Sequence, residues 1–100
     1  MTIDVKRSGT ALTVRAEGKL DNMTAPELEA AIWDNIVGVT KLTFDFRDLV
    51  FISSSGLRVL LKAQKVMDLQ GEMEFLPLRE QVRDVFAMTG MLDIFTVLED

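Results

Sequence analysis

The reading turns on one stretch: Asp48-Leu49-Val50-Phe51-Ile52-Ser53-Ser54-Ser55-Gly56-Leu57-Arg58-Val59-Leu60-Leu61. An apolar run, Leu49 to Ile52, stops on three serines and a glycine, and an amphipathic pattern follows. The run reads as a buried strand bounded by a turn signal. Beyond it, Leu57, Leu60, Leu61 and Met67 are apolar in a segment that predicts a helix to about Leu69, with Gly71 as its stop. Ser53 is placed to cap that helix, because a serine hydroxyl accepts from the N–H two or three residues on. Ser54 and Ser55 then fall in the first turn. Gly56, lacking a side chain, is expected to let another molecule approach the backbone closely.

The chemistry of this junction favours anions. Four unpaired N–H groups open a helix, and its dipole makes that end partly positive. A phosphate adds about −1.5 to −2 charges at a place that tolerates them. The fold would bear the modification while a partner's docking face would feel its bulk and charge, which is what a binary binding switch requires. Arg58, Lys62 and Lys65 form a basic stripe along the same helix, suited to an acidic partner, and a phosphate on Ser55 would compete for Arg58. Serine caps and solvated Lys/Arg faces give the same pattern, so spacing alone leaves both readings open.

Upstream, Thr40 to Phe46 alternates cleanly, with Leu42, Phe44 and Phe46 on one side and Lys41, Thr43 and Asp45 on the other, which predicts a strand. Before it, Thr24 and Glu27 have capping-box spacing, Pro26 sits in the first turn, and Leu28, Ala31, Ile32 and Ile36 share a helical face that Gly38 is expected to end. Trp33, beside that stripe, reads as a packing residue rather than a ligand platform. The chain opens with a hairpin: Ile3 and Val5, a turn at Ser8-Gly9-Thr10, then Leu12, Val14 and Ala16, with Gly18 closing the second strand. Downstream, Met73 and Phe75, extending as far as Leu76, make a fourth strand. Pro77 precedes a third helix carrying Val82, Val85, Phe86 and Thr89 and ending at Gly90. Ile94, Phe95, Val97 and Leu98 make a last strand. The order ββαβαβαβ predicts one α/β domain over 1–100, a mixed sheet with helices packed on it.

Composition excludes much else. With no Cys and no His, disulfides, Cys- or His-based metal sites, the Ser-His-Asp triad and the Cys-His pair are all absent. A net charge of −5 argues against a phosphate-driven nucleic-acid binder and against docking on anionic membranes. The N-terminus, Met1-Thr2-Ile3-Asp4-Val5-Lys6-Arg7, lacks a signal peptide's apolar stretch, and the longest apolar run is far too short to span a bilayer. A cytoplasmic protein needing no cofactor is expected.

The segment Asp48 to Leu61 closely resembles the signature of the STAS family, the bacterial anti-sigma factor antagonists. Gly18-Lys19-Leu20-Asp21 followed by Thr24-Ala25-Pro26-Glu27-Leu28 is similar to the family's second strand and first helix, and Val82 to Phe95 to its closing elements, so the resemblance covers nearly the whole chain. It implies a non-enzymatic regulator that binds an anti-sigma factor, often itself a serine kinase using ATP, and that is reset by a PP2C-type phosphatase. It implies that the phosphoacceptor is the residue before the motif glycine, Ser55, and that the partner surface includes Ser53, Ser54, Ser55, Gly56, Arg58 and Lys62. One departure stands out: many switching members carry Asp where this chain has Ser53, which bears on kinase recognition and on the helix start. Two other readings compete. One is a STAS module of a stress-signalling or lipid-transport complex without a phosphoswitch. The other is a small nucleotide-binding protein, for which Gly18-Lys19 is the sole hint, without the upstream glycine or following Ser/Thr of a P-loop.

Overall fold

The computed structural model describes residues 1–99. Five strands form one sheet in the order β1 (Thr2–Ser8), β2 (Ala11–Leu20), β3 (Lys41–Ile52), β4 (Glu72–Phe75), β5 (Thr96–Val97). β1 is antiparallel to β2, as a short turn requires, and the remaining pairs are parallel. Each parallel step is bridged by a helix: α1 (Ala25–Trp33), α2 (Ser54–Gln70) and α3 (Glu80–Met88). Crossovers of one hand that advance one strand at a time in one direction leave their helices on one face of the sheet. The burial pattern agrees. Leu12, Val14 and Ala16, then Leu42, Phe44 and Phe46, then Met73 and Phe75 are buried, whereas the alternating Thr13, Arg15, Thr43 and Glu74 face solvent.

The core is built on aromatic contact. Phe75 stacks on Phe44 with centroids 5.0 Å apart and meets Phe46, Phe86 and Phe95 at 5.6, 5.4 and 5.1 Å. The open face is polar. Arg15 pairs with Asp48 at 2.7 Å and Glu17 at 3.0 Å, and Lys41 with Glu74 at 3.0 Å. Asp45 is the buried acid of this face; Arg47 grips both its oxygens and holds its carboxyl below the ordinary value.

Most expected elements are present, and their bounds differ for physical reasons. β3 does not end at Phe46. Two bulges against β2, between Arg15 and Glu17 and between Gly18 and Lys19, each insert an extra residue into β3. Its buried residues then fall at Phe46, Leu49 and Ile52, with pairs of exposed residues between, so alternation is lost while the strand continues. Gly18 does not close β2: it adopts φ 101° at a bulge and the strand runs on to Leu20. α1 ends at Trp33, short of Gly38, which instead shapes the following turn with φ 78°. Trp33 packs against the core, as expected. The last strand is only Thr96–Val97, because a 3-10 turn at Met91–Asp93 takes up the chain before it and leaves Ile94 and Phe95 outside. Gly90, in the left-handed region at φ 78°, ends α3 as its position predicts.

Gly71 closes α2 with ordinary extended φ, so its glycine is a matter of space. A Cβ there would lie 1.9 Å from the Thr40 carbonyl oxygen, which already accepts from Glu72 N at 2.9 Å. Gly71→Ala is expected to cost about 2 kcal/mol or more by forcing the end of α2 away from the start of β3. A urea midpoint unchanged from the parent chain would refute this close approach.

Candidate functional site

The parallel pairing of β2 with β3 carries both strands to the same end of the sheet, where two loops meet. Ser53 N donates to Leu20 O at 2.8 Å and ties them together. Ser53 is the N-cap of α2, with extended backbone (φ −99°, ψ 173°), its Oγ accepting from Gly56 N at 3.4 Å and its carbonyl accepting the first helical bond from Leu57 N at 3.0 Å. Ser54 is exposed and Ser55 partly exposed, both in the first turn. No acidic side chain stands in that turn, so the N–H end of the helix keeps its positive potential.

The Ser55 hydroxyl has two side-chain partners among the described residues. It donates to Asn22 Oδ1, from the loop between β2 and α1, and accepts from Arg58 Nη2 at 3.4 Å, one turn further along its own helix. Arg58 therefore stands where a charge on Ser55 would meet it. Lys62 lies one turn beyond Arg58 but is not a free cation: it bridges to Glu29 of α1 at 3.3 Å, pinning the two helices together.

Gly56 differs from expectation. It is buried, and a Cβ on it would come 2.6 Å from Leu20 Cγ and 3.1 Å from Ile52 Cγ1. Its missing side chain makes room for its own chain's core, so the first turn of α2 sits tight on the sheet; it does not open the backbone to another molecule.

Sequence reasoning missed the facing loop. The expected capping box does not form. Thr24 Oγ1 instead accepts from Asp21 N at 2.8 Å and lies 2.8 Å from Lys19 O, while Asp21 Oδ1 accepts from Met23 N at 2.9 Å and Thr24 N at 3.0 Å. The signal was there in Asp21-Asn22, a pair that favours side-chain-capped turns. This turn holds Asn22 against Ser55 and leaves Met23 86% exposed; Phe51, beside Lys19 at the same end of the sheet, is 48% exposed. Concavities of about 410 and 420 Å³ open among charged side chains of the β1–β2–β3 region, and no residue of the serine loop lines them. Among the described residues no cluster of carboxylates could hold a metal ion, and no helix is long and apolar enough to cross a membrane.

The profile of the STAS domain family matches residues 2–100. The chain belongs to the STAS family. Over 83 residues, 81% of this STAS domain and 72% of the relative, it is 37% identical to BtrV of Bordetella bronchiseptica, whose name provisionally makes it an anti-sigma factor antagonist. Its fold is that of an anti-sigma factor antagonist from Mycobacterium paratuberculosis, with a TM-score of 0.89 at 23% identity over 99% of this chain and 86% of that one. It is also that of the phosphorylated form of the Bacillus cell fate determinant SpoIIAA, with a TM-score of 0.75 at 21% identity over 99% of this chain and 93% of that one. The expected family and the mixed α/β sheet with helices packed on it are both borne out.

The turn that carries Asn22 has its own pH signature. Backbone N–H bonds, that of Thr24 first and then that of Met23, hold the Asp21 carboxyl below its ordinary 3.8. A depressed native value means that this contribution to stability is complete above the unfolded value and is lost as pH falls through the native one. Asp21→Asn, which keeps an acceptor oxygen but no charge, is therefore expected to show a shallower fall of melting temperature below pH 3.8 than the parent. Superimposable melting-temperature profiles of the two proteins would remove Asp21 from the acid transition.

Proposed function

We propose that this STAS domain is an anti-sigma factor antagonist. In its unmodified form it binds an anti-sigma factor of the serine-kinase type, and phosphorylation of Ser55 by that kinase, using ATP, breaks the complex. A PP2C-type phosphatase reverses the modification. The observation that carries this reading is the Ser55 hydroxyl itself, held at the open mouth of α2 with Arg58 Nη2 3.4 Å away and no acid in the turn. The 37% identity to BtrV supports the antagonist role, and the likeness of fold to a phosphorylated SpoIIAA is consistent with a modification at such a site.

The docking face in this reading is formed by Ser54, Ser55 and Arg58, with Lys62 at its rim and Ser53 and Gly56 building it from below. The protein acts in the cytoplasm, by binding and not by catalysis. A phosphate on Ser55 meets the positive end of α2 and the Arg58 guanidinium within the free protein, so folding is little disturbed. In the complex the same dianion must lose water against a surface shaped for a small neutral hydroxyl, and binding bears the whole cost. Ser53 leaves the switch intact in this account, because a neutral cap still orders the first turn and puts no negative charge beside the phosphate.

The test is titration of the purified chain with serine-kinase anti-sigma factors of its own cell, with and without ATP. Ser55→Ala is expected to bind as the parent does and to take up no phosphate. Ser55→Asp is expected to bind about tenfold more weakly or worse, with a melting temperature within about 3 °C of the parent. Undiminished phosphate on Ser55→Ala by mass spectrometry would move the acceptor elsewhere, and a large melting loss in Ser55→Asp would make the serine structural.

A further inference from the structure

We infer that Asn22 is a positioning residue for the phosphoacceptor, one that responds to the chemical state of Ser55; this rests on the assignment of Ser55 proposed above. The two side chains come from different elements. Asn22 lies in the loop between β2 and α1, Ser55 in the first turn of α2, and they meet because Ser53 N bonds Leu20 O at 2.8 Å. A hydroxyl has one proton to give. Arg58 can only donate, so its Nη2 at 3.4 Å takes a lone pair of Ser55 Oγ, and the proton goes to the amide oxygen of Asn22. With proton and one lone pair fixed, the remaining lone pair has a set direction.

The turn beneath Asn22 is rigid for a reason on its own side of the contact. Asp21 Oδ1 accepts from Met23 N and Thr24 N, and Thr24 Oγ1 accepts from Asp21 N. Three residues of a four-residue turn are thus tied to one another, while the side chain of the fourth, Asn22, is left to reach Ser55. An arrangement that serves only to hold the loop has no need of that reach.

Phosphoryl transfer uses this alignment. The free lone pair of Ser55 Oγ forms the new bond to the γ-phosphorus of the kinase's nucleoside triphosphate, the bond from that phosphorus to the bridging oxygen breaks with release of the nucleoside diphosphate, and as the new bond forms the hydroxyl proton leaves the Asn22 oxygen for a carboxylate of the kinase. Asn22 is neutral and gains no proton; it sets direction. After transfer Ser55 has no proton to give, and the Asn22 oxygen faces an anion. A half-turn of the amide replaces that acceptor with the Nδ2 donor, so the same side chain that oriented the hydroxyl donates to the phosphoryl oxygen.

Asn22→Ala removes both functions, whereas Asn22→Asp keeps the acceptor, removes the donor and adds a negative charge. Asn22 is exposed, so both variants should fold, which their melting curves will check. The first arm needs no kinase. Phosphoserine is installed at position 55 during synthesis, and its second ionisation, about 6 in a free phosphoserine, is followed by phosphorus NMR. The expected order of phosphate pKa is parent lowest, Asn22→Ala higher and Asn22→Asp highest. Arg58 and the Asp21 carboxylate are common to all three and cancel. Equal values in the parent and Asn22→Ala overturn the inference. The second arm measures phosphorylation by the kinase that binds the parent chain. Asn22→Ala is expected to lose about tenfold in kcat with KM little changed. A kcat for Asn22→Ala equal to the parent's overturns the acceptor role. A parent chain that takes no phosphate from any such kinase sinks the proposed function instead, and the NMR titration then still decides whether Asn22 faces an anion at position 55.

Discussion

The register between β2 and β3 is the constraint on which the rest depends. These strands pair in parallel from Ala11 opposite Lys41 to Leu20 opposite Ile52, and β3 holds that partnership across two bulges. Each bulge costs a regular ladder position and changes which residues face inward. The return is that Leu20 and Ile52 finish side by side. Gly56 can then settle onto both, and the Ser53 N–H can reach the Leu20 carbonyl. Without that shared ending the two loops would be separate features of the surface, and Asn22 would have no route to Ser55.

Electrostatics sharpen the contrast between this corner and the remainder of the domain. The chain has a net charge of −5, and its open sheet face interleaves Asp4, Glu17, Asp48 and Glu74 with Arg15 and Lys41. The first turn of α2 carries only serines and a glycine, and its nearest formal charge in the same element is the cation of Arg58. A small neutral hydroxyl therefore marks a locally positive spot on an acidic molecule. Lys62 is committed to Glu29, which takes the middle member out of the basic stripe read from the sequence and leaves Arg58 as the member beside the serine.

The parts of this arrangement visible in the sequence were those written in local chemistry. Ser53 announced a cap, Leu57 to Met67 a helix, and Leu42, Phe44 and Phe46 a strand, because capping and periodicity act within a few residues. The continuation of β3 to Ile52 was hidden, since bulges replace alternation by two exposed residues for each buried one, a pattern with no simple period. Gly56 was identified as special but with its consequence pointing outward; only the positions of Leu20 and Ile52 reveal that the space is needed within. Asn22 and Glu29 were silent because their partners lie 33 residues away along the chain in each case. The short β5 was obscured by apolar residues, Ile94 among them, that look like strand and are used in a turn.

Helices on one side only have a thermodynamic consequence. Half of the sheet stays wet in the native state, so unfolding uncovers less hydrocarbon than it would in a sheet sandwiched between two helical layers. Since the heat-capacity increment follows the apolar area uncovered, the stability curve of this domain should be broad and shallow. Its free energy then varies little across growth temperatures, and with it the fraction of molecules able to take part in regulation.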